Sequence, residues 1–187
     1  MSFLNLVTER SRSETWNLVN FTVNMIEIKS ALSNLDYTQI AVLANAIWRE
    51  HYIPIIGKPQ VDHMLEKYQS VAAIEKQIVE GTDYFLIIYD DISVGYMSIK
   101  PESEALFLSK FYILKAFRGR KTGKAALFFV EEEAKAQQLK AIRLTVNINN
   151  TNAIKAYEKL GFKNIGDLVT DIGNGFVMDD FEMLKVL

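Results

Sequence analysis

Residues 117–124 read Phe117-Arg118-Gly119-Arg120-Lys121-Thr122-Gly123-Lys124, two glycines and four cations in one short stretch. An apolar run before it predicts a strand and the periodicity after it predicts a helix, so the stretch is a strand-to-helix turn. Such a turn leaves backbone N–H groups without intrahelical partners beside positive charge, at the positive end of the helix dipole. That is the chemistry of a phosphate cradle. Gly119 and Gly123 let the backbone close on an anion with no side chain in the way. A Walker A loop is excluded: three residues rather than four separate Gly119 from Gly123, and Ala125 stands where Ser or Thr would hold magnesium. The spacing of a dinucleotide fingerprint fails as well. Taken alone, the stretch is equally a solvated basic helix start capped by Thr122.

A second constellation changes that balance. From Asn150 the chain reads Asn150-Thr151-Asn152-Ala153-Ile154-Lys155-Ala156-Tyr157-Glu158-Lys159-Leu160-Gly161-Phe162. With the cradle, this resembles the GNAT superfamily of acyl-coenzyme A dependent N-acyltransferases, closely over 106–162 and in element order from Met25 to the C-terminus. The family signature Asn-x-x-Ala-x-x-x-Tyr-x-x-x-Gly-Phe is matched in full by Asn150, Ala153, Tyr157, Gly161 and Phe162. Its other signature runs Arg or Gln, two residues, Gly, one residue, Gly or Ala; Arg118 and Gly123 match, and Lys121 replaces the first glycine.

The resemblance implies an α/β (α+β) fold: a central mixed, mostly antiparallel sheet with one splayed parallel pair and helices on both faces. It implies acetyl-coenzyme A as acyl donor, no metal, and direct transfer to a primary amine. The pantetheine arm would lie between strands parted near Phe111, Tyr112 and Ile113 and near Asn147. Arg118, Arg120 and Lys124 would bond the phosphates, with Gly119 and the backbone of Lys121, Thr122, Gly123 and Lys124 as cradle. Asn150 would start its helix and orient the loop beside the thioester, with Ala153 on the cofactor side of that helix. The matching tyrosine, Tyr157, would protonate the departing thiolate. A backbone N–H near Tyr112 or Ile113, where the family's strand bulges, would meet the oxyanion.

The base stays open at this level. Many relatives carry a glutamate on the strand before the cradle, but here that stretch is Leu108-Ser109-Lys110-Phe111. Ser109 through water, His51, His63, Glu102, Glu104 and a water chain along Tyr52 and Tyr112 are the candidates. The acceptor depends on residues 36–81 and the last hairpin. Asp90, Asp91, Asp179, Asp180 and Glu182 could attract a cationic amine or could be solvated turns. The insertion after the first strand is similar to the polyamine-acetylating branch, which implies a small amine or polyamine. A protein or peptide acceptor, a non-catalytic coenzyme A sensor and a nucleotide-binding protein are the competing readings.

The elements that must position these residues follow from periodicity. A strand over 26–29 precedes a helix over 37–50, in which Ile40, Leu43, Ala44 and Ile47 share a face and Asp36 is the expected N-cap. An apolar loop over 52–57, containing Pro54, either packs locally or walls a substrate cleft. Helices over 61–69 and 71–79 follow. Strands over 84–89 and 94–100 form a hairpin about 90–93, then come a strand over 106–114, a helix over 123–138, a strand over 141–147 and a helix over 150–160. Strands over 162–170 and 176–187 close the chain around the turn at 171–175. The strand-helix-strand unit between 106 and 147 predicts a parallel pair.

Composition bounds the rest. With 187 residues, 49% of them hydrophobic and 24% charged, the chain suits a single globular domain. We expect that domain over 25–187, with 1–24 an appendage. The net charge of −2 argues against nucleic-acid or anionic-membrane partners. The absence of cysteine and the presence of only two histidines argue against a thiolate nucleophile or a histidine-rich metal site, and fit a reduced, cytoplasmic protein. The apolar run 125–130 is far short of the roughly 20 residues of a membrane span. Glu9, Arg10, Arg12 and Glu14 interrupt the place of a signal peptide's apolar stretch. Val177 and Met178 suggest a homodimer through the last hairpin.

Overall fold

The computed structural model describes residues 16–18 and 25–187; the expected appendage falls outside the described residues except for the three-residue strand β1 (Trp16–Leu18). β1 pairs antiparallel with β2 (Ile26–Ser30). Then follow three helices, α1 (Asn34–Ile56), α2 (Lys58–Gln69) and α3 (Val71–Val79). Strands β3 (Asp83–Tyr89), β4 (Ile92–Pro101) and β5 (Ala105–Ile113) lead through a 3₁₀ turn at Lys115–Phe117 to α4 (Thr122–Ala136). β6 (Ala141–Asn147), α5 (Thr151–Lys159), β7 (Lys163–Gly173) and β8 (Phe176–Val186) complete the chain.

The eight strands form one sheet in the order β1-β2-β3-β4-β5-β6-β8-β7. All pairings are antiparallel except β5 with β6. That pair holds only at its start, where Ala105–Phe107 face Ala141–Arg143; beyond it the strands part, as the resemblance implied. Helices cover both faces. From Tyr84 to Tyr89, β3 is apolar because helices cover both of its faces. Phe85 and Ile87 join a core with Leu127, Val130 and Ala134 of α4, while Tyr84 and Leu86 join Ile40, Ile47, Trp48, Val61 and Ile74 of α1 to α3.

Three local expectations are corrected. α1 starts at Asn34 with Ser33, not Asp36, as its N-cap; Asp36 is the third helical residue of a capping box. It accepts from the N–H groups of Leu32 and Ser33 and from Lys29 Nζ at 2.7 Å. Burial alone would raise its carboxyl; these bonds outweigh that and hold it below the usual range. Second, 52–57 is not a loop. α1 continues through Pro54 to Ile56 and stops at Gly57, whose φ of 80° an L side chain rarely adopts. The apolar residues there are the helix's last turns, laid against the sheet. Third, the β4–β5 register shifts between Ser98, opposite Lys110, and Ile99, opposite Leu108. The bulge therefore falls at Ser109, not at Tyr112 or Ile113.

That bulge resets the strand's alternation. Leu106, Leu108, Phe111 and Ile113 pack with the α4 core, whereas Phe107, Ser109, Lys110 and Tyr112 line a cavity under α1 and α2. Among the described residues no helix is long and apolar enough to cross a membrane.

Candidate active site

Where β5 and β6 part, a cleft of about 500 Å³ opens, lined by Phe111, Tyr112 and Ile113 of β5 and by Arg118, Gly119, Lys121, Gly123 and Lys124 of the cradle. Its other wall is Asn150, Ala153 and Tyr157. Eleven of the fourteen residues expected at the cofactor thus meet in one place; Arg120, Thr122 and Asn147 do not line it. The Arg120 guanidinium lies over the rings of Phe117 and Tyr89, at 5.3 and 5.6 Å. Thr122 is buried, its hydroxyl directed to the Phe117 carbonyl at 3.4 Å, so it does not cap the helix. Asn147 donates to the Asp179 carbonyl and accepts from the Asn149 N–H, and it lines the neighbouring cavity instead.

The cradle's backbone explains its sequence. Lys121 is the α4 N-cap in the left-handed region, φ 65° and ψ −1°, with no side-chain cap bond; Gly119 has φ 77°. The lysine therefore holds a conformation that glycine would adopt without strain. Arg118 Nε donates to the Ile113 carbonyl at 2.9 Å, tying the turn to the end of β5. The α4 N-terminus is thus open, uncapped and flanked by cations.

Asn150 caps α5, accepting from the Ala153 N–H at 3.4 Å. Its amide also donates to the Tyr52 hydroxyl (3.3 Å), and its oxygen meets His51 Nε2 (3.2 Å). One asparagine therefore fastens the last turns of α1 to the cleft. Tyr157 packs against Phe162 and Phe111, ring centroids at 5.6 and 6.5 Å. Burial pushes its phenol well up, so it holds its proton across the physiological range.

A second cavity of about 400 Å³ lies on the α1 side, lined by Trp48, Gln60, Met64, Tyr68, Lys110 and Asp180 among others. The two share Tyr52, Ser109, Tyr112, Thr145 and Val146, so they meet across the parted strands. The structure separates the base candidates. Both His63 nitrogens are engaged, Nε2 with the Ile172 carbonyl and Nδ1 with Asn174. Glu102 pairs with Arg143, and Glu104 with Lys140. His51 lines the first cleft, where burial and then Arg118 lower its pKa.

Sequence reasoning named Asp180 only as one of five acidic residues that could attract an amine or be solvated turns, and gave Lys110 no role; both are buried in the second cavity. Lys110 is 6% exposed, bonded to Gln77 Oε1 at 2.7 Å, and burial lowers it to about 8. Asp180 is 3% exposed, and burial, assisted by Asp179, raises it to about 6 against the pull of a Thr145 bond. A signal existed for Asp180: a carboxylate pair inside a strand runs against β propensity. Of the other acidic residues, Asp90 and Asp91 form the β3–β4 turn, with φ of 47° and 64°, and Glu182 pairs with Arg143.

The acetyltransferase (GNAT) domain family matches residues 52–183. The chain is 28% identical over 114 residues to an uncharacterised N-acetyltransferase, YjgM, of Escherichia coli strain K12. That match covers 59% of this chain and 63% of the relative's length. Among solved structures, the PaiA N-acetyltransferase of Thermoplasma acidophilum in complex with coenzyme A superposes with a TM-score of 0.73 at 23% identity, covering 87% of this chain and 99% of that one. A GCN5-related N-acetyltransferase of Rhodopseudomonas palustris gives 0.73 at 17% identity, over 86% and 94%. The matched family spans the cradle, the parted strands and α5 together: the chain belongs to the GNAT acetyltransferase family.

Proposed function

We propose that this protein transfers an acetyl group from acetyl-coenzyme A to the primary amine of a small molecule. The observation that carries this reading is the junction of two clefts across the parted strands at Tyr52, Ser109, Tyr112, Thr145 and Val146. The cradle cleft fits the coenzyme. Its α4 N-terminus and Arg118, Lys121 and Lys124 suit phosphates, and the free edges of β5 and β6 suit an extended pantetheine arm. The second cavity then receives the acceptor, and the thioester lies at the shared residues. A backbone N–H of β5 next to the Ser109 bulge would meet the oxyanion, and Tyr157 would give its proton to the thiolate.

Several features favour a small monoamine. The acceptor side is a cavity of about 400 Å³ walled by α1 and α2 and half open to solvent, and it holds the cationic Lys110 and Arg143 as well as Asp180. Lys110 in the wall opposes a second ammonium group on the acceptor, whereas Arg143 is neutralised by Glu102 and Glu182. A second copy of the chain would fit at the exposed β7 edge; Val177 is exposed there, while Met178 faces the acceptor cavity. The cytoplasm, where acetyl-coenzyme A is available, suits this activity.

Two measurements test the coenzyme assignment and the role of Tyr157. Coenzyme A should raise the melting temperature and ATP should not; stabilisation by ATP alone would favour a nucleotide-binding protein. Tyr157→Phe should lower kcat on the best amine about 100-fold while leaving coenzyme A affinity unchanged. An unaltered kcat would remove its acid role.

A further inference from the structure

Asp180 is the one acidic side chain that lines the acceptor cavity among the described residues. It sits on β8 opposite Leu168 of β7 and Asn147 of β6, inside the sheet rather than at a turn. Its Oδ1 is buried with no hydrogen-bond partner. A carboxylate oxygen left in that state is costly unless something occupies it. The carboxyl bonds to Thr145, and Thr145 lines both clefts. Its charge also reaches Tyr52, another shared residue. The open oxygen therefore stands one hydrogen-bonded residue from the place where the clefts meet.

β5 presents no carboxylate to this cavity: the bulge turns Ser109 and Lys110 toward it. Lys110 is a cation bonded to Gln77 and cannot take a proton from an ammonium group while charged. Glu102, Glu104 and His63 are engaged elsewhere, and His51 meets Asn150 in the cradle cleft and does not line this cavity. Resting on the acetyl-transfer reading above, we infer that Asp180 binds the acceptor's ammonium group and is the general base that deprotonates it.

The step balances without a further reactant. The acceptor ammonium gives one proton to the Asp180 carboxylate. The freed lone pair forms the C–N bond as the C–S bond of the thioester breaks. The second nitrogen proton reaches the departing thiolate by way of Tyr157, and Asp180 returns its proton to solvent. Thioester and ammonium become amide, thiol and one released proton.

A carboxyl titrating near 6 can act this way at neutral pH. The ionisable groups facing it across the cavity are Tyr52 and Tyr68 from α1 and α2, Lys110 and Tyr112 from β5 and Arg143 from β6; Asp179 is its neighbour on β8. Tyr52 and Tyr112 are raised by burial and Arg143 stays cationic, so none of these three contributes an acidic limb; Lys110, lowered to about 8, would give a limb at higher pH, and a limb owed to His51 of the adjoining cleft would survive in Asp180→Asn.

The test compares wild type and Asp180→Asn with acetyl-coenzyme A and phenethylamine, tyramine, glucosamine and spermidine as acceptors, across pH 5 to 9. Wild type should show an acidic limb in kcat/KM near pH 6. The variant should lose that limb and about 100-fold in kcat, with coenzyme A affinity unchanged. A variant within threefold of wild type that keeps the limb overturns the assignment. If wild type acetylates none of these amines, the transfer reading falls separately. The ammonium site is then read without turnover, by following the Asp180 ¹³C carboxyl resonance against pH with and without phenethylamine. The amine should move the midpoint down from near 6; an unmoved midpoint overturns the site.

Discussion

Burial lifts the Asp180 carboxyl from the ordinary value of 3.8 to about 6, and that shift has a consequence for stability that is independent of catalysis. Below about pH 4 the group is protonated both folded and unfolded. Between there and pH 6 the folded chain keeps a proton that the unfolded chain has released. Stability contributed by the neutral group is therefore present at low pH and lost as pH rises through 6. Asp180→Asn should raise the melting temperature at pH 8 by roughly 5 °C and change it little at pH 3.5, as followed by circular dichroism. Equal shifts at both values would show that the carboxylate is not desolvated. At this scale the sequence was legible where chemistry is written locally. Asn150, Ala153 and Tyr157 fall on one wall of one cleft, as the signature implies. Asp180 and Lys110 were not legible, because their placement depends on a bulge that reverses the alternation and on a strand partner far along the chain. Arg120 does not line the cleft, and only the fold shows the aromatic rings beneath it.

At the scale of elements, the cradle and the cap of α5 invite substitution. Lys121 combines a cation at the cleft with a left-handed backbone. Lys121→Ala removes the charge and keeps the strain, while Lys121→Gly removes both. Both should weaken coenzyme A binding to a similar extent by calorimetry, and the glycine variant should be about 1 kcal/mol more stable than the alanine variant in urea. Equal stabilities would mean that the turn carries no strain. Asn150→Ala should cost about 1 kcal/mol through the lost cap and also slow turnover, because Asn150 holds Tyr52 and His51. Helix and strand order was readable from period alone. The end of α1 was not, because Pro54 and a run of apolar residues imitate a loop. Tertiary contact of Tyr52 with Tyr112, together with its packing on Trp48 one turn earlier in the same helix, keeps those turns helical.

For the whole molecule, the organising event is the parting of one parallel strand pair. Pairing at Ala105–Phe107 fixes the floor, and the gap beyond it joins a cationic cleft on one face to the cavity under α1 and α2 on the other. Helices on both faces are required for this, since each cleft takes one wall from a helix. Deleting residues 1–24 should leave turnover nearly unchanged by the thiol-release assay, because among the described residues both clefts are lined by residues from 48 onward. Transfer of an acetyl group from a coenzyme in one cleft to an amine in the other is read out by incubating the protein with acetyl-coenzyme A and the small-amine panel, with a peptide panel alongside, and identifying products by mass spectrometry. An N-acetylated small amine should form in step with free coenzyme A thiol. Acetylated peptide alone, or tight coenzyme A binding with no amine-dependent thiol release, would contradict this transfer.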